Sequence, residues 1–359
     1  MKAWIGASLL VVGHAHADAP PSDPCACSPN KPGFHRASAL TGDWGGWRSR
    51  LFEDGVKLQA TYTGEVFAAP ALAKDRTAVA GLASLALDVE LGTLVGGGLG
   101  TLHASAFGIH GSGLSERLRD VYGVSNNVAP EDLRLFEAWI DQPIGPLSLR
   151  AGLLSADQQF TLAAHSVVLL NATFGVVGIV SYDVIGPVYP VATPAVAATV
   201  EVGSVTVRAA IYDGDRIEDH GIPRALADHT IAFAEVELFG AVKLGGWKHT
   251  NLGGGGYAIV DRQLGRYLGA FARLALAPSC PIDVYVDTGI RIGPGPFRPK
   301  DFASVGMAFA SSDVGVQTIV EASYQALVTG WLTIQPDAQL LLDRSGTTAI
   351  VATRAVIAF

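Results

Sequence analysis

The sequence predicts an all-β fold: a transmembrane antiparallel β-barrel of about 16 strands, with a short N-terminal helix. The chain is 49% hydrophobic and only 16% charged, which is more apolar than is usual for a soluble enzyme. Its richest apolar stretch, 167–186, is interrupted by Asn171, Thr173, Ser181 and Asp183, so it lacks the continuous apolar run that a spanning helix requires. The 42 glycines and a recurring alternation of apolar and polar residues indicate many short strands instead.

The first 17 residues have the pattern of a secretory signal peptide. A single lysine precedes the apolar run 3–12, and the Ala-His-Ala sequence at 15–17 matches a small-residue cleavage site. We therefore expect cleavage near Asp18, followed by a Pro-rich flexible leader over residues 18–39.

Residues 40–55 are predicted to form a short helix at the periplasmic mouth of the barrel. Thr41 or Asp43 can cap its first turn, and Gly55 can end it. The transmembrane barrel then occupies residues 56–359 as one domain, since no linker divides this region.

The first strand, 56–66, shows the two-faced pattern on which the barrel prediction depends. Lys57, Gln59 and Glu65 share one face, whereas apolar residues such as Val56 and Val66 share the other. In a transmembrane barrel the apolar face contacts lipid, and the charged face lines a water-filled lumen.

The same alternation returns along the chain. In 282–292 it assigns Ile282 and Val284 to the lipid face, and Asp283 and Asp287 to the lumen face. An even number of strands can close into a barrel, which leaves no unpaired edge in lipid, and sixteen strands enclose an aqueous lumen. Candidate strands begin near residues 56, 79, 99, 133, 147, 193, 205, 230, 241, 256, 267, 282, 301, 317, 331 and 347.

Motifs for catalysis or cofactor binding are not found in the sequence. It contains neither a phosphate-binding Gly-x-x-x-x-Gly-Lys loop nor a Gly-x-Ser-x-Gly elbow, and its histidines lack metal-ligand spacing. The pairs Glu235/Glu237 and Asp283/Asp287 are explained by a wet lumen without catalysis. We therefore expect no enzyme activity, no cofactor and no metal, and the net charge of −8 argues against a nucleic-acid partner.

The segment 40–67 resembles the opening of the carbohydrate-selective porin family, the OprB-like porins. Similar segments follow in order at 134–160, 171–175, 189–196, 209–215, 242–251 and 321–343. The residues that carry the opening motif are Gly42, Asp43, Trp44, Gly45, Gly46 and Arg48, then Tyr62, Thr63, Gly64 and Glu65.

The resemblance implies a porin in the outer membrane of a Gram-negative bacterium, through which small sugars diffuse passively. Its partners would be mono- or oligosaccharides and outer-membrane lipid, and a homo-oligomer is implied because many porins form trimers. The chain also ends on Phe359 within an alternating strand, which resembles the signal for the outer-membrane assembly machinery.

A sugar-selective pore needs hydrogen-bonding groups for hydroxyls and aromatic faces for sugar rings. Trp139 and Tyr285 are candidates for stacking on sugar. Arg150, Arg273 and Arg291, facing Glu137, Glu235 and Asp287, are expected to set the electric field of the pore. The alternation assigns to the lumen Lys57, Gln59 and Gln339 and the pore-lining and sugar-contact candidates Glu65, Glu137, Trp139, Asp141, Arg150, Glu235, Glu237, Arg273, Tyr285, Asp287, Arg291, Glu321, Gln335, Asp337 and Arg354.

Three alternatives remain open at the level of sequence. The acidic balance favours a general porin with a weak preference for cations. The apolar segment 161–180, where a loop would fold into the pore, favours a blocked barrel with a structural role. A soluble secreted enzyme would contradict the barrel altogether.

Overall fold

The computed structural model describes residues 38–183, 186–215, 228–278, 280–296, 298–312 and 315–359. The predicted signal peptide and all but the last two residues of the predicted leader lie outside these ranges, as do Cys25 and Cys27. The described residues form a closed barrel of sixteen antiparallel strands, which confirms the predicted fold. The strands are β1 (Val56–Ala68), β2 (Thr77–Glu90), β3 (Thr101–Gly111), β4 (Asp132–Ile144), β5 (Leu147–Leu154), β6 (Thr193–Val202), β7 (Val205–Asp213), β8 (Thr230–Leu238), β9 (Val242–His249), β10 (Gly253–Gln263), β11 (Leu268–Leu276), β12 (Ile282–Ile292), β13 (Phe302–Ser312), β14 (Gly315–Leu327), β15 (Leu332–Asp343) and β16 (Gly346–Ala358).

Each strand pairs with its sequence neighbours, and β1 also pairs with β16 to close the barrel. Closure aligns Glu65 with Arg354 and Thr61 with Ala358. Residues 56–60 of β1 have no paired residue on β16, and the N-terminal helix lies beside them.

The predicted N-terminal helix is present as α1 (Trp47–Glu53), after a 3-10 turn over Trp44–Gly46. Its N-cap is Gly46, whose φ of 97° favours glycine. The carboxylate of Asp43 still reaches the first turn of α1, where it accepts hydrogen bonds from the backbone N–H of Ser49 at 2.9 Å and from its hydroxyl at 2.8 Å. Arg48 donates to the backbone oxygen of Phe359 at 2.5 Å, so the opening motif joins the two ends of the barrel.

The outward face of the barrel is apolar and the inward face carries most of the polar residues. Val66, Val79 and Leu133 are exposed on the outside, where lipid covers a transmembrane barrel. One local prediction is wrong: a register shift in β12 between Ile282 and Val284 buries Ile282 and leaves Asp283 exposed. Such a bulge changes the face of the residues beside it. Among the described residues no helix combines the length and hydrophobicity needed to cross a membrane.

Two long connections fold into the barrel from the end opposite the chain termini. We call residues 112–131, between β3 and β4, the first inward loop; it contains α2 (Ser115–Leu118). Residues 155–192, between β5 and β6, are the second inward loop, which contains α3 (Gly178–Asp183); its residues 184–185 are not described.

The second inward loop brings its own apolar core into the lumen. Leu169, Phe174, Val177 and Ile179 are fully buried and pack in one cluster with inward residues of the wall. The expectation of a wholly aqueous lumen is therefore wrong in the middle of the barrel. The strand number sets the width of the barrel, but the loop fills part of that width because its apolar side chains are better buried than exposed.

Candidate functional site

Apart from Asp283, the predicted lumen residues lie on the inward face of the wall, and most of them are buried by the inward loops. Glu65, Glu235, Arg273, Glu321 and Arg354 are among the most deeply buried residues of the chain. Buried charges require partners, so the contacts of these residues decide which of them remain available to a solute.

Arg273 on β11 holds the backbone of the second inward loop. Its guanidinium donates to the carbonyl oxygens of Thr161 at 3.2 Å, Gly175 at 2.7 Å and Thr173 at 2.9 Å. Its Nε also donates to Asp287 on the neighbouring strand at 3.0 Å. The pair therefore serves to fix the loop against the wall.

Glu321 on β14 binds the same loop from the other side. Its carboxylate accepts the backbone N–H of Leu170, and that of Asn171 at 3.0 Å. Gln335 donates to the carbonyl oxygen of Val168. These contacts satisfy backbone groups that would otherwise be buried without partners in the lumen.

The first inward loop is held by the ion pair that closes the barrel. Arg354 donates to Glu65 at 2.5 Å and to the side-chain oxygen of Asn126 at 2.5 Å. Glu65 accepts the hydroxyl of Ser125 at 2.7 Å and the amide of Asn127 at 3.2 Å. Glu65 belongs to the opening motif, so one role of that motif is to anchor this loop.

Tyr285 lies beneath the second inward loop in this structure. It is fully buried, and its hydroxyl contacts the side chain of Thr173 and donates to Asp287, in each case at 2.7 Å. Alternation along a strand assigns the inward face correctly, but it does not reveal a loop that covers the side chain.

A second set of polar residues, on β2 to β5, lies nearer the chain termini. His103 donates from Nδ1 to Asp88 at 2.7 Å, and its ring stacks with Trp139 at a centroid distance of 4.7 Å. Arg150 lies over the Trp139 ring at 3.9 Å and pairs with Asp141 at 3.0 Å. His103 approaches the Trp139 ring from β3 and Arg150 approaches it from β5, so the two side chains cover its two faces. The edge of the ring is therefore the part that is left to face the lumen.

This set adjoins a cavity of about 790 Å³ at the end of the barrel that holds the termini. We call it the terminal-end cavity. Side chains of Asp141, Arg150 and Ser148 line it together with Thr199 and Glu201. The side chains of Arg150 and Asp141 retain 20% and 22% of their exposure, so they are accessible to a solute in this cavity.

On the adjoining part of the wall, Arg208 on β7 pairs with Glu235 at 3.0 Å and with Glu237 at 2.7 Å. Lys243 lies 3.9 Å from Glu237 and donates to the carbonyl oxygen of Leu162 in the second inward loop at 2.9 Å. Positive and negative groups thus alternate along this wall and cancel locally.

The tip of the second inward loop is anchored by a histidine. His165 contacts Asp261 through Nδ1, and its Nε2 lies 2.9 Å from the amide oxygen of Gln263. The hydrogen bond to Asp261 raises the pKa of His165, because both oxygens favour the doubly protonated ring. Arg291 donates to the carbonyl oxygen of Ala164 at 3.1 Å, so it too contacts the loop.

Buried carboxyl groups also lie within the inward loops. Burial raises the pKa of Asp157 in the second loop, despite a hydrogen bond of 2.6 Å from Ser155. Burial likewise raises the pKa of Asp120 in the first loop.

Alternation alone missed Asp88, His103, Arg208, Lys243 and Tyr212, all of which face inward. Asp88 lies near the end of β2, which is mostly apolar on both faces, and His103 is isolated among small residues. The signal that could have found them is cross-strand pairing, because Asp88 aligns with His103 and His103 with Trp139. No group of three or more His, Cys, Asp or Glu among the described residues could hold a metal ion.

Comparison with solved structures shows what this barrel resembles. The chain superposes on the high-pH structure of Pseudomonas putida OprB with a TM-score of 0.83 and 17% identity, over 91% of this chain and 100% of that chain. The low-pH structure of the same protein gives a TM-score of 0.65 and 17% identity, over 90% and 99%. A porin variant from Rh. blastica gives 0.53 and 10% identity, over 85% and 100%.

Comparison with protein families is more specific than these structural similarities. Residues 74–251 match the model of the carbohydrate-selective porin, OprB family, and this range contains both inward loops and eight of the strands that surround them, β2 to β9. A search of curated proteins found no match. The chain is similar to the carbohydrate-selective porin, OprB family in sequence over residues 74–251 and to OprB in fold.

Proposed function

We propose that the protein is a channel of the Gram-negative outer membrane through which neutral sugars diffuse passively, in preference to ions. The observation that carries this proposal is the pairing of charge on the inner wall. Arg273 pairs with Asp287, Arg354 with Glu65, and Arg150 with Asp141. Because paired charges cancel at short range, such a wall attracts ions of neither sign strongly.

The terminal-end cavity supplies the groups that a sugar needs. Arg150 donates hydrogen bonds, Asp141 and Glu201 accept them, and Ser148 and Thr199 do both. A volume of about 790 Å³ is within the range of small-molecule sites. The cavity opens toward the mouth of the barrel, and rapid passage requires that binding be weak.

Planar-bilayer recording of the purified protein tests this function. We expect glucose or maltose to reduce the single-channel current reversibly, and a KCl gradient to give a reversal potential close to zero. A current that neither sugar changes would overturn the proposal.

A specific observation favours a cation-preferring general porin as the second candidate. Glu90 and Glu201 line the terminal-end cavity without a salt bridge among the described residues. This candidate predicts a reversal potential displaced toward that of K⁺ and abolished in the Glu90→Gln/Glu201→Gln double variant.

The buried core of the second inward loop favours a blocked barrel as the third candidate. A barrel closed by this loop would show no solute flux in liposomes and no current steps in bilayers. Either a sugar flux or regular current steps would exclude it.

Export and assembly complete the proposal. Cleavage after residue 17 is tested by N-terminal sequencing of the mature protein. Phe359 is proposed to engage the outer-membrane assembly machinery, so its deletion should lower the yield of folded barrel. A homo-oligomer, tested by mass measurement in detergent, is compatible with the channel but not required by it.

A further inference from the structure

One rung of the inner wall holds three buried polar atoms that lack partners. Cross-strand pairing runs from Asp88 on β2 through His103, Trp139, Gly152 and Ala195 to Tyr212 on β7. Directly paired residues are neighbours on one face of a sheet. These six side-chain positions therefore form a continuous row, which we call the lateral rung.

The unpartnered atoms are Nε2 of His103, Nε1 of Trp139 and the hydroxyl of Tyr212. None of them has a hydrogen-bond partner among the described residues, although His103 and Trp139 are only 3% and 6% exposed and Tyr212 is 0% exposed. Buried polar side-chain atoms are normally hydrogen-bonded. Three such atoms in one rung indicate a site that receives a polar molecule.

The chemistry of the three atoms is complementary to hydroxyl groups. His103 contacts Asp88 through Nδ1, so its Nε2 is the ring nitrogen left for a hydrogen bond in the rung. Trp139 Nε1 can only donate, and the Tyr212 hydroxyl can do both. Sugar hydroxyl groups can donate to and accept from groups of this kind.

Between Trp139 and Tyr212 the rung has only small residues, Gly152 and Ala195. Gly152 has a φ of 143°, and a Cβ there would lie 2.2 Å from the carbonyl oxygen of Ala138. Glycine is therefore required at this position. The two positions between Trp139 and Tyr212 therefore carry no polar side chain that could pair with the unpartnered atoms.

The rung is continuous with the terminal-end cavity. Asp141 and Arg150, which line that cavity, are each two residues from Trp139 and Gly152 along their strands, a rise of about 7 Å. The second inward loop covers the rung, since Trp139 and Tyr212 pack in one apolar cluster with Phe160. The rung thus lies directly beyond the cavity, beneath the loop.

We propose that the lateral rung is a binding step for one sugar ring, in which His103 Nε2, Trp139 Nε1 and the Tyr212 hydroxyl exchange hydrogen bonds with sugar hydroxyls. This proposal rests on the sugar-channel function and adds a location and a mode of contact. Trp139 contacts sugar through its N–H edge rather than its ring face, because His103 and Arg150 cover the faces.

The test compares Tyr212→Phe and Trp139→Phe with a matched control, Tyr257→Phe. Tyr257 is equally buried, but its hydroxyl donates to Glu235 at 3.0 Å. We expect Tyr212→Phe and Trp139→Phe each to raise the half-blocking glucose concentration by about three- to tenfold, the effect of one lost hydrogen bond. Tyr212→Phe should leave the melting temperature unchanged, whereas Tyr257→Phe should lower it and leave the sugar block unchanged.

The outcomes separate this site from the function itself. If glucose blocks the unmodified channel but equally blocks both rung variants, the rung binds water only and the proposal is overturned, while the sugar channel stands. If glucose does not block the unmodified channel, the proposed function fails first. Since the two rung variants remove different atoms from different strands, failure of one to fold leaves the other as the test.

Discussion

The clearest test of the inner architecture is the substitution Arg273→Met. Arg273 and Asp287 are both fully buried, and Arg273 binds three carbonyl oxygens of the second inward loop, those of Thr161, Thr173 and Gly175. Methionine has a similar length and no charge. The substitution therefore leaves Asp287 without its cation and the three carbonyls without their donor.

The size of the effect follows from the burial of the pair. Removing one partner of a buried ion pair costs about 3–5 kcal/mol, and water can relieve that cost only if the loop leaves the wall. At about 1.4 kcal/mol per tenfold change, the population with the loop detached should rise roughly 100- to 4,000-fold.

Two assays report this release. Chymotrypsin should cleave the second inward loop faster at Phe160 or Phe174, which are buried in the intact protein. Single-channel conductance should increase as the loop vacates the lumen.

A double variant controls for the stranded charge. Arg273→Met combined with Asp287→Leu removes the unpaired carboxylate, so its cleavage rate should lie between those of the unmodified protein and the single variant. If Arg273→Met changes neither the cleavage rate nor the conductance, the loop is not held by this pair and the reasoning fails.

Three further predictions concern His165, Gly152 and Arg48. The hydrogen bond to Asp261 raises the pKa of His165 above its unfolded value. The stabilisation from this anchor is therefore fully present below about pH 6.5 and is lost as pH rises through the folded pKa. Chymotrypsin cleavage of the second inward loop should accelerate over that rise, and His165→Gln should remove the pH dependence. Gly152→Ala should lower the melting temperature of the barrel by disturbing the pairing of β4 and β5. An unchanged melting temperature would mean that the two strands can shift apart to make room for the Cβ. Arg48→Met removes the contact with Phe359 and should lower the heat resistance of the folded band in gel electrophoresis, whereas Arg50→Met, on the same helix, should not.

The sequence predicted the barrel because strand alternation is local. Glu65 and Arg354 could be assigned to the inward face from their immediate neighbours, since side chains alternate between faces along a strand. Alternation fails where the local rule is broken, as at Ile282, where a bulge changes the face.

The loop contacts were not predictable in the same way. Glu321 binds Leu170 across 151 positions of sequence, and nothing near either residue indicates the other. The apolar character of 161–180 did predict a loop of unusual packing. It did not indicate that Arg273 and Tyr285 would form hydrogen bonds with the second inward loop.

The central claim is a preference for neutral sugars, and liposome swelling measures it most directly. The comparison is between glucose and gluconate, which are similar in size and differ in charge, at equal osmolarity. We expect glucose to enter several times faster than gluconate. Equal rates for the two solutes, or no entry of glucose, would contradict it.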